Sequence, residues 1–187
     1  MLPVFVVAGI GSPQDRAQTR QAPPPRPGVA VNIEPTSGRT FYREPGQARP
    51  SRLAAEIQVP VNTTVDATNG RMGLTSAYGI ADFYGGVFVI RESVKEHVTQ
   101  LFLAREHFGA CARRSKRVLQ RLWGDGKGRF RTRGRYAAAS VRGTKWLVQD
   151  RCDGTLTTVS RGLVAVRDFR LRRTVFVRAG HGYFARR

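Results

Sequence analysis

The sequence predicts an all-β domain, a sandwich of jelly-roll-like kind, and three observations carry that prediction. From Val29 onward apolar and polar residues alternate in short runs, glycines bound the runs, and only Ala112–Leu122 has a composition that tolerates a helix. The 187 residues leave room for one such domain and a tail, and a 41% hydrophobic share with 10 Phe, 5 Tyr and 2 Trp supplies a core. No run of about 18 apolar residues occurs, so no helical membrane span is expected.

Taken in order, the chain opens with Leu2–Ile10 (LPVFVVAGI), nine apolar residues that are too few to cross a bilayer. Residues 1–12 read either as the remnant of a truncated secretory signal or as a buried N-terminal strand, since no basic residue precedes the run and no clear cleavage site follows it. Residues 13–28, rich in Pro, Gln and Arg, read as an extended solvated linker. Residues 29–187 then form a single domain.

Its first half holds candidate strands at Val29–Glu34, Thr63–Ala67, Arg71–Ala77, Ile80–Phe83, Val87–Arg91 and Leu101–Ala104. Its second half holds Phe130–Thr132, Ala137–Val141, Lys145–Asp150, Leu156–Ser160, Leu163–Asp168, Thr174–Arg178 and Tyr183–Ala185. Asn69-Gly70 and Asp153-Gly154 are the strongest hairpin dipeptides, and Gly85-Gly86 and Arg161-Gly162 punctuate in the same way. Between the halves, residues 105–128 read as a basic loop insertion, partly helical at most. A weak repeat links Gly86–Glu92 (GVFVIRE) with Gly162–Asp168 (GLVAVRD), and two similar meanders packed on one another make a sandwich.

Charge is the outstanding feature of the composition. The net charge is +19, and it is lopsided: residues 1–100 carry 10 basic and 8 acidic side chains, residues 101–187 carry 22 and 5. Of the 32 basic residues 28 are Arg, which follows either from a genomic bias toward Arg codons or from a use for bidentate contacts with phosphate and carboxylate. In both cases the surface adsorbs polyanions in a salt-sensitive way.

Arg129, Arg131, Arg133 and Arg135 stand at every second position, so on a strand they share one face while Phe130 and Thr132 point to the core. Trp123 and Lys127 flank the stripe in a glycine-rich string, Gly124–Gly128, and complete the candidate surface for an anionic partner: an envelope polymer, an acidic protein or, as second choice, nucleic acid with Trp123 as a stacking platform. The alternative is a solvated strand face. The string lacks the Gly-Lys-Ser/Thr ending of a phosphate loop.

Cys111 and Cys152 are the only cysteines, and in an exported chain such a pair suggests one disulfide, closing a loop of 42 residues; two buried thiols are the alternative. Neither has a His or Cys neighbour at metal-ligand spacing, and the sequence calls for no metal or cofactor. His97, His107 and His181 lack nucleophile or carboxylate motifs, so no catalytic residue is assigned and a non-catalytic protein is expected.

The segment Ala138–Gly180 contains Val141-Arg142-Gly143-Thr144-Lys145-Trp146, then Asp153-Gly154-Thr155, Gly162-Leu163-Val164-Ala165-Val166 and Val177-Arg178-Ala179-Gly180. In these motifs it resembles the core of the FecR-like domain, and Val59–Glu92 is similar to that domain's first half. With Leu122–Tyr136 included, the chain is similar to an actinobacterial group of exported FecR-like proteins. The resemblance implies a β-rich domain in which Val141, Arg142, Gly143, Thr144, Trp146, Asp153, Gly154, Gly162 and Gly180 serve structure, Arg142 pairing with Asp150 or Asp153. It also implies kinship with a periplasmic sensor of iron-dicitrate regulation. With no transmembrane helix or segment to hold a sigma factor, a secreted or envelope-associated binding module is what the expectation retains.

Overall fold

The computed structural model describes residues 22–104, 111 and 115–187, and every regular element among them is a strand. The first seven are β1 (Ala30–Arg43), β2 (Ser51–Arg52), β3 (Ile57–Pro60), β4 (Thr64–Ser76), β5 (Gly79–Tyr84), β6 (Val87–Ser93) and β7 (Val98–Leu103). The remaining six are β8 (Val118–Arg133), β9 (Ala137–Arg151), β10 (Gly154–Arg161), β11 (Leu163–Asp168), β12 (Arg173–Arg178) and β13 (Gly182–Arg186). The all-β expectation therefore holds. The segment 1–12, His107 and the first part of the basic insertion lie outside the described residues.

Four strands, β1, β4, β8 and β9, are 13 to 16 residues long, well over the usual five or six. Each serves two sheets. In the first sheet the order is β3-β1-β4-β5-β8-β9-β10-β13, built from the early residues of β1 and β8 and the late residues of β4 and β9. In the second the opposite ends of the same strands give β2-β1-β4-β6-β7-β8-β9-β11-β12. All neighbours are antiparallel except β7 and β8, which run parallel.

A strand that long has to bend, and each does so at a glycine. Gly38 of β1 pairs with Gly70 of β4 between two register shifts, and the β8–β9 pair slips between Gly126 and Arg129. Gly128 (φ 119°) and Gly143 (φ 73°) at that slip occupy backbone conformations that side chains disfavour. This corrects two expectations. Asn69-Gly70 is no hairpin but the bend of β4, and Val118–Gly128 is neither loop nor helix but the first half of β8, hydrogen-bonded to β5 and β9. Gly85-Gly86 lies between β5 and β6, Gly162 lies between β10, which ends on Arg161, and β11, and the β9–β10 hairpin turns on Cys152-Asp153.

The two sheets close on one core containing Phe83, Phe88, Phe130 and Trp146. Phe83 of the first sheet meets Phe88, Phe130 and Trp146 with ring centroids 5.6 to 6.0 Å apart. Trp146, fully buried, lies against Gly124: a Cβ at residue 124 would stand 2.3 Å from the indole ring. Its Nε1 donates to Thr132 Oγ1 on the second sheet at 2.9 Å, which satisfies the one polar atom of the ring. The glycine-rich string is thus explained in part by the space a buried tryptophan needs.

The weak sequence repeat is the trace of a larger structural one. The series β1-β4-β5-β6-β7 and β8-β9-β10-β11-β12 follow the same path: a long strand, a long antiparallel return, a hairpin strand in the first sheet, then two hairpin strands in the second. Gly79 and Gly154, Gly86 and Gly162, and Phe102 and Phe176 hold corresponding places. The acids that close the two sequence copies also correspond. Glu92 accepts from Gly28 N at 2.7 Å and Thr99 Oγ1 at 3.1 Å, and Asp168 accepts from Leu171 N at 2.8 Å and Tyr183 Oη at 2.9 Å. Burial pushes the Glu92 carboxyl above its ordinary range, against the pull of those donors. The Gly28 bond, with Pro23 O accepting from Asn32 Nδ2 and Gln58 Nε2, also shows that the described part of the expected linker lies on the sheet.

Cys111 and Cys152 form a disulfide, which ties residue 111 to the β9–β10 turn across 41 positions. Replacing both with Ser is expected to lower unfolding free energy by about 4 kcal/mol, the chain-entropy value for such a loop. Urea midpoints check this: reductant should shift the native protein by the same amount and leave the double variant unmoved. Gly124→Ala is expected to cost about 1–3 kcal/mol by overpacking against Trp146, read as a lower midpoint at unchanged slope.

Candidate functional site

Along β8 the odd-numbered residues face outward and Leu122, Phe130 and Thr132 are buried, as alternation requires. Arg129, Arg131 and Arg133 therefore share the outer face of the second sheet. Register assembles the rest of that face. Arg131 stands beside Gln100 and Ser140, Gln100 beside Arg91, Ser140 beside Ala165, and Ala165 beside Phe176. In the next row Arg133 stands beside Phe102 and Ala138, and Ala138 beside Arg167. On the other side Arg129 pairs with Arg142, and Leu163 with Arg178.

Seven arginines from five strands thus occupy one outer face. Glu96 meets one of them, bonded to Arg131 Nη1 at 2.9 Å, and the guanidinium holds the Glu96 carboxyl below its ordinary range. The guanidinium groups of Arg91 and Arg133 lie 4.7 and 5.5 Å from the centroid of Phe102, so this aromatic surface steadies them from beneath. Small residues in the central strands, Ser140 and Ala165, leave a groove of about 460 Å³. Arg129 and Arg142 stand on one side and Leu163 and Phe176 on the other. Planar forks of donors over a trough with apolar walls suit the bidentate capture of carboxylate or phosphate carried on a partly apolar molecule.

The other predicted residues lie elsewhere. Arg135 is in the β8–β9 turn, its N–H donating to both Asp150 oxygens at 3.0 and 2.9 Å, and its guanidinium lies over the ring of Tyr136. Lys127 is exposed on the first sheet beside Ile80. Trp123 is also on the first sheet, between Tyr84 and Leu147, not in a loop. Its ring stacks on Tyr84 with centroids 6.0 Å apart, and Arg71 covers Tyr84. Six residues of strand, roughly 20 Å, separate Trp123 from Arg129, so the two do not form one surface.

Comparison with protein-family models, curated proteins and solved structures finds no match for this chain. The residues of the sequence motif therefore speak through their own environments. Val141, Thr144 and Trp146 are buried, and Gly154, Gly162 and Gly180 stand at strand starts and turns. Arg142 does not pair as expected: Asp153 is held by Arg151 at 2.6 Å, and Asp150 is eight strand residues away, roughly 26 Å. Arg142 belongs instead to the basic face, as do Arg91, Arg167 and Arg178, which sequence reasoning passed over. A signal for two of them existed, because Arg91 and Arg167 are the arginines of the two repeat copies. Among the described residues no helix is long and apolar enough to cross a membrane.

Glu96→Gln removes the carboxylate that competes for Arg131 and is expected to tighten the binding of a sulfated polysaccharide roughly two- to fivefold at low salt, converging with the native protein above about 0.5 M salt as screening takes over. Isothermal titration at two ionic strengths checks it.

Proposed function

We propose that this chain is a non-catalytic FecR-like binding module of the cell envelope that holds an anionic partner on the outer face of its second sheet. The observation that carries the reading is the convergence of seven arginines from five strands around a groove, where Glu96 is bonded to Arg131. The motifs between Val141 and Gly180 support the kinship. The Cys111–Cys152 disulfide supports an oxidising compartment outside the cytosol.

An arginine face of this kind works by fixed geometry. Strand pairing spaces the guanidinium groups, apolar neighbours hold their stems, and a ligand releases counterions as it binds. The test is binding of a poly(glycerol phosphate) chain by the full protein, followed by fluorescence polarisation. Replacing Arg129, Arg133 and Arg142 by Gln together is expected to weaken binding at least tenfold and flatten its salt dependence, while Trp123→Ala leaves it unchanged. Binding indifferent to the triple replacement would remove the reading. A single-stranded DNA affinity that exceeds the polymer's and depends on Trp123 would favour nucleic acid instead.

A further inference from the structure

The two structural repeats differ at one place. In the first, the outer edge of β7 is covered by the second half of β8, running parallel, with Gln100 beside Arg131 and Phe102 beside Arg133. In the second, β12 holds the place of β7 and pairs only with β11 among the described residues. The strand β13 pairs with β10 as the first half of β8 pairs with β5. Nothing described corresponds to the second half of β8. Among the described residues the edge of β12 is therefore a strand position that is filled in the first repeat and unpaired in the second.

The consequence is visible at Phe176. Its counterpart Phe102 lies under Arg91 and Arg133, the latter brought by the added strand. Phe176 is 68% exposed in the middle of its strand, with Leu163 at 48% beside the same groove. The hydrogen-bond phase is set by Ala179 N donating to Gly162 O at 3.0 Å. In an antiparallel ladder that places Val177 and Val175 in bonded pairs with β11 and turns the backbone groups of Thr174 and Phe176 outward. Among the described residues an unpaired backbone ladder and an exposed aromatic side chain thus coincide.

We propose that the edge of β12 accepts an extended acidic segment of a partner protein as an added strand, parallel to β12. In the register of β7 with β8, alternate side chains of that segment fall beside Thr174, Phe176 and Arg178. The first and third sit next to Arg167 and Arg178, and the middle one covers Phe176. The chemistry selects a segment with the pattern acid-x-apolar-x-acid: main-chain bonds supply affinity, and the arginines and Phe176 choose the side chains. A second copy of this chain fits poorly, because a pair of β12 edges brings Arg173 and Arg178 of both copies together on a protein of charge +19. The proposal rests on the reading of the basic face as an anion-binding surface, and names its partner class.

The experiment titrates the full protein with a blocked peptide of core Glu-Thr-Phe-Thr-Glu, the same peptide N-methylated at its central residues, and the Lys-Thr-Phe-Thr-Lys form. The first is expected to bind, the second at least tenfold more weakly for lack of main-chain donors, and the third not detectably. Phe176→Ser, a change at an exposed site, is expected to weaken the first peptide at least fivefold. N-methylation without effect, or a Phe176→Ser variant that binds as before, overturns strand addition. Polymer binding without peptide binding also overturns it and spares the anion-binding reading. Failure of both ligands overturns the two together.

Discussion

Everything else in this structure depends on four strands that are each asked to belong to two sheets. A twisted strand of 13 to 16 residues cannot stay in one flat sheet, and here β1, β4, β8 and β9 bend at glycines and carry the chain from one layer of the sandwich to the other. The bends at Gly128 and Gly143 would close the layers only loosely without a large side chain between them. Trp146 supplies it, filling the space left by Gly124 and bonding to Thr132 of the opposite sheet. Gly128 and Gly143 permit the bend, and a third glycine, Gly124, makes room for the ring that fixes it.

That architecture also explains the charge. Outside one core, a bent strand presents its outward residues to different sides of the molecule. In β8 the residues before the bend, Trp123 and Lys127, face away with the first sheet, and Arg129, Arg131 and Arg133 face away with the second. What the linear sequence offers as one cluster is divided in space. In return, arginines from β6, β9, β11 and β12 that lie far apart in sequence come side by side. Cross-strand neighbours stand about 5 Å apart, so pairing alone concentrates positive charge to a density no single strand carries.

The fold class was legible because period-two alternation and glycine punctuation are local signals, written residue by residue. The candidate site was legible in part: Phe130 and Thr132 inward and Arg129, Arg131 and Arg133 outward follow from alternation within one strand. The glycines misled where they mark bends rather than ends. Asn69-Gly70 looks the same in sequence whether the chain reverses there or runs on, because the outcome is decided by Gly38 and Arg39 of β1 pairing opposite. Arg142 was read as the partner of a nearby acid, since sequence distance hides that eight residues of extended strand are roughly 26 Å.

By itself the sequence determined that this protein is built of strands, that its positive charge is concentrated in the second half, and that its two cysteines suffice for one bridge. These are matters of composition and local period. Only the tertiary structure decided which arginines share a face, that Trp123 does not join them, and that the backbone groups of Thr174 and Phe176 on β12 turn away from β11. Those depend on register between strands distant in the chain, and register is fixed by the fit of buried side chains such as Trp146 and Phe83 across the core, which no local pattern encodes.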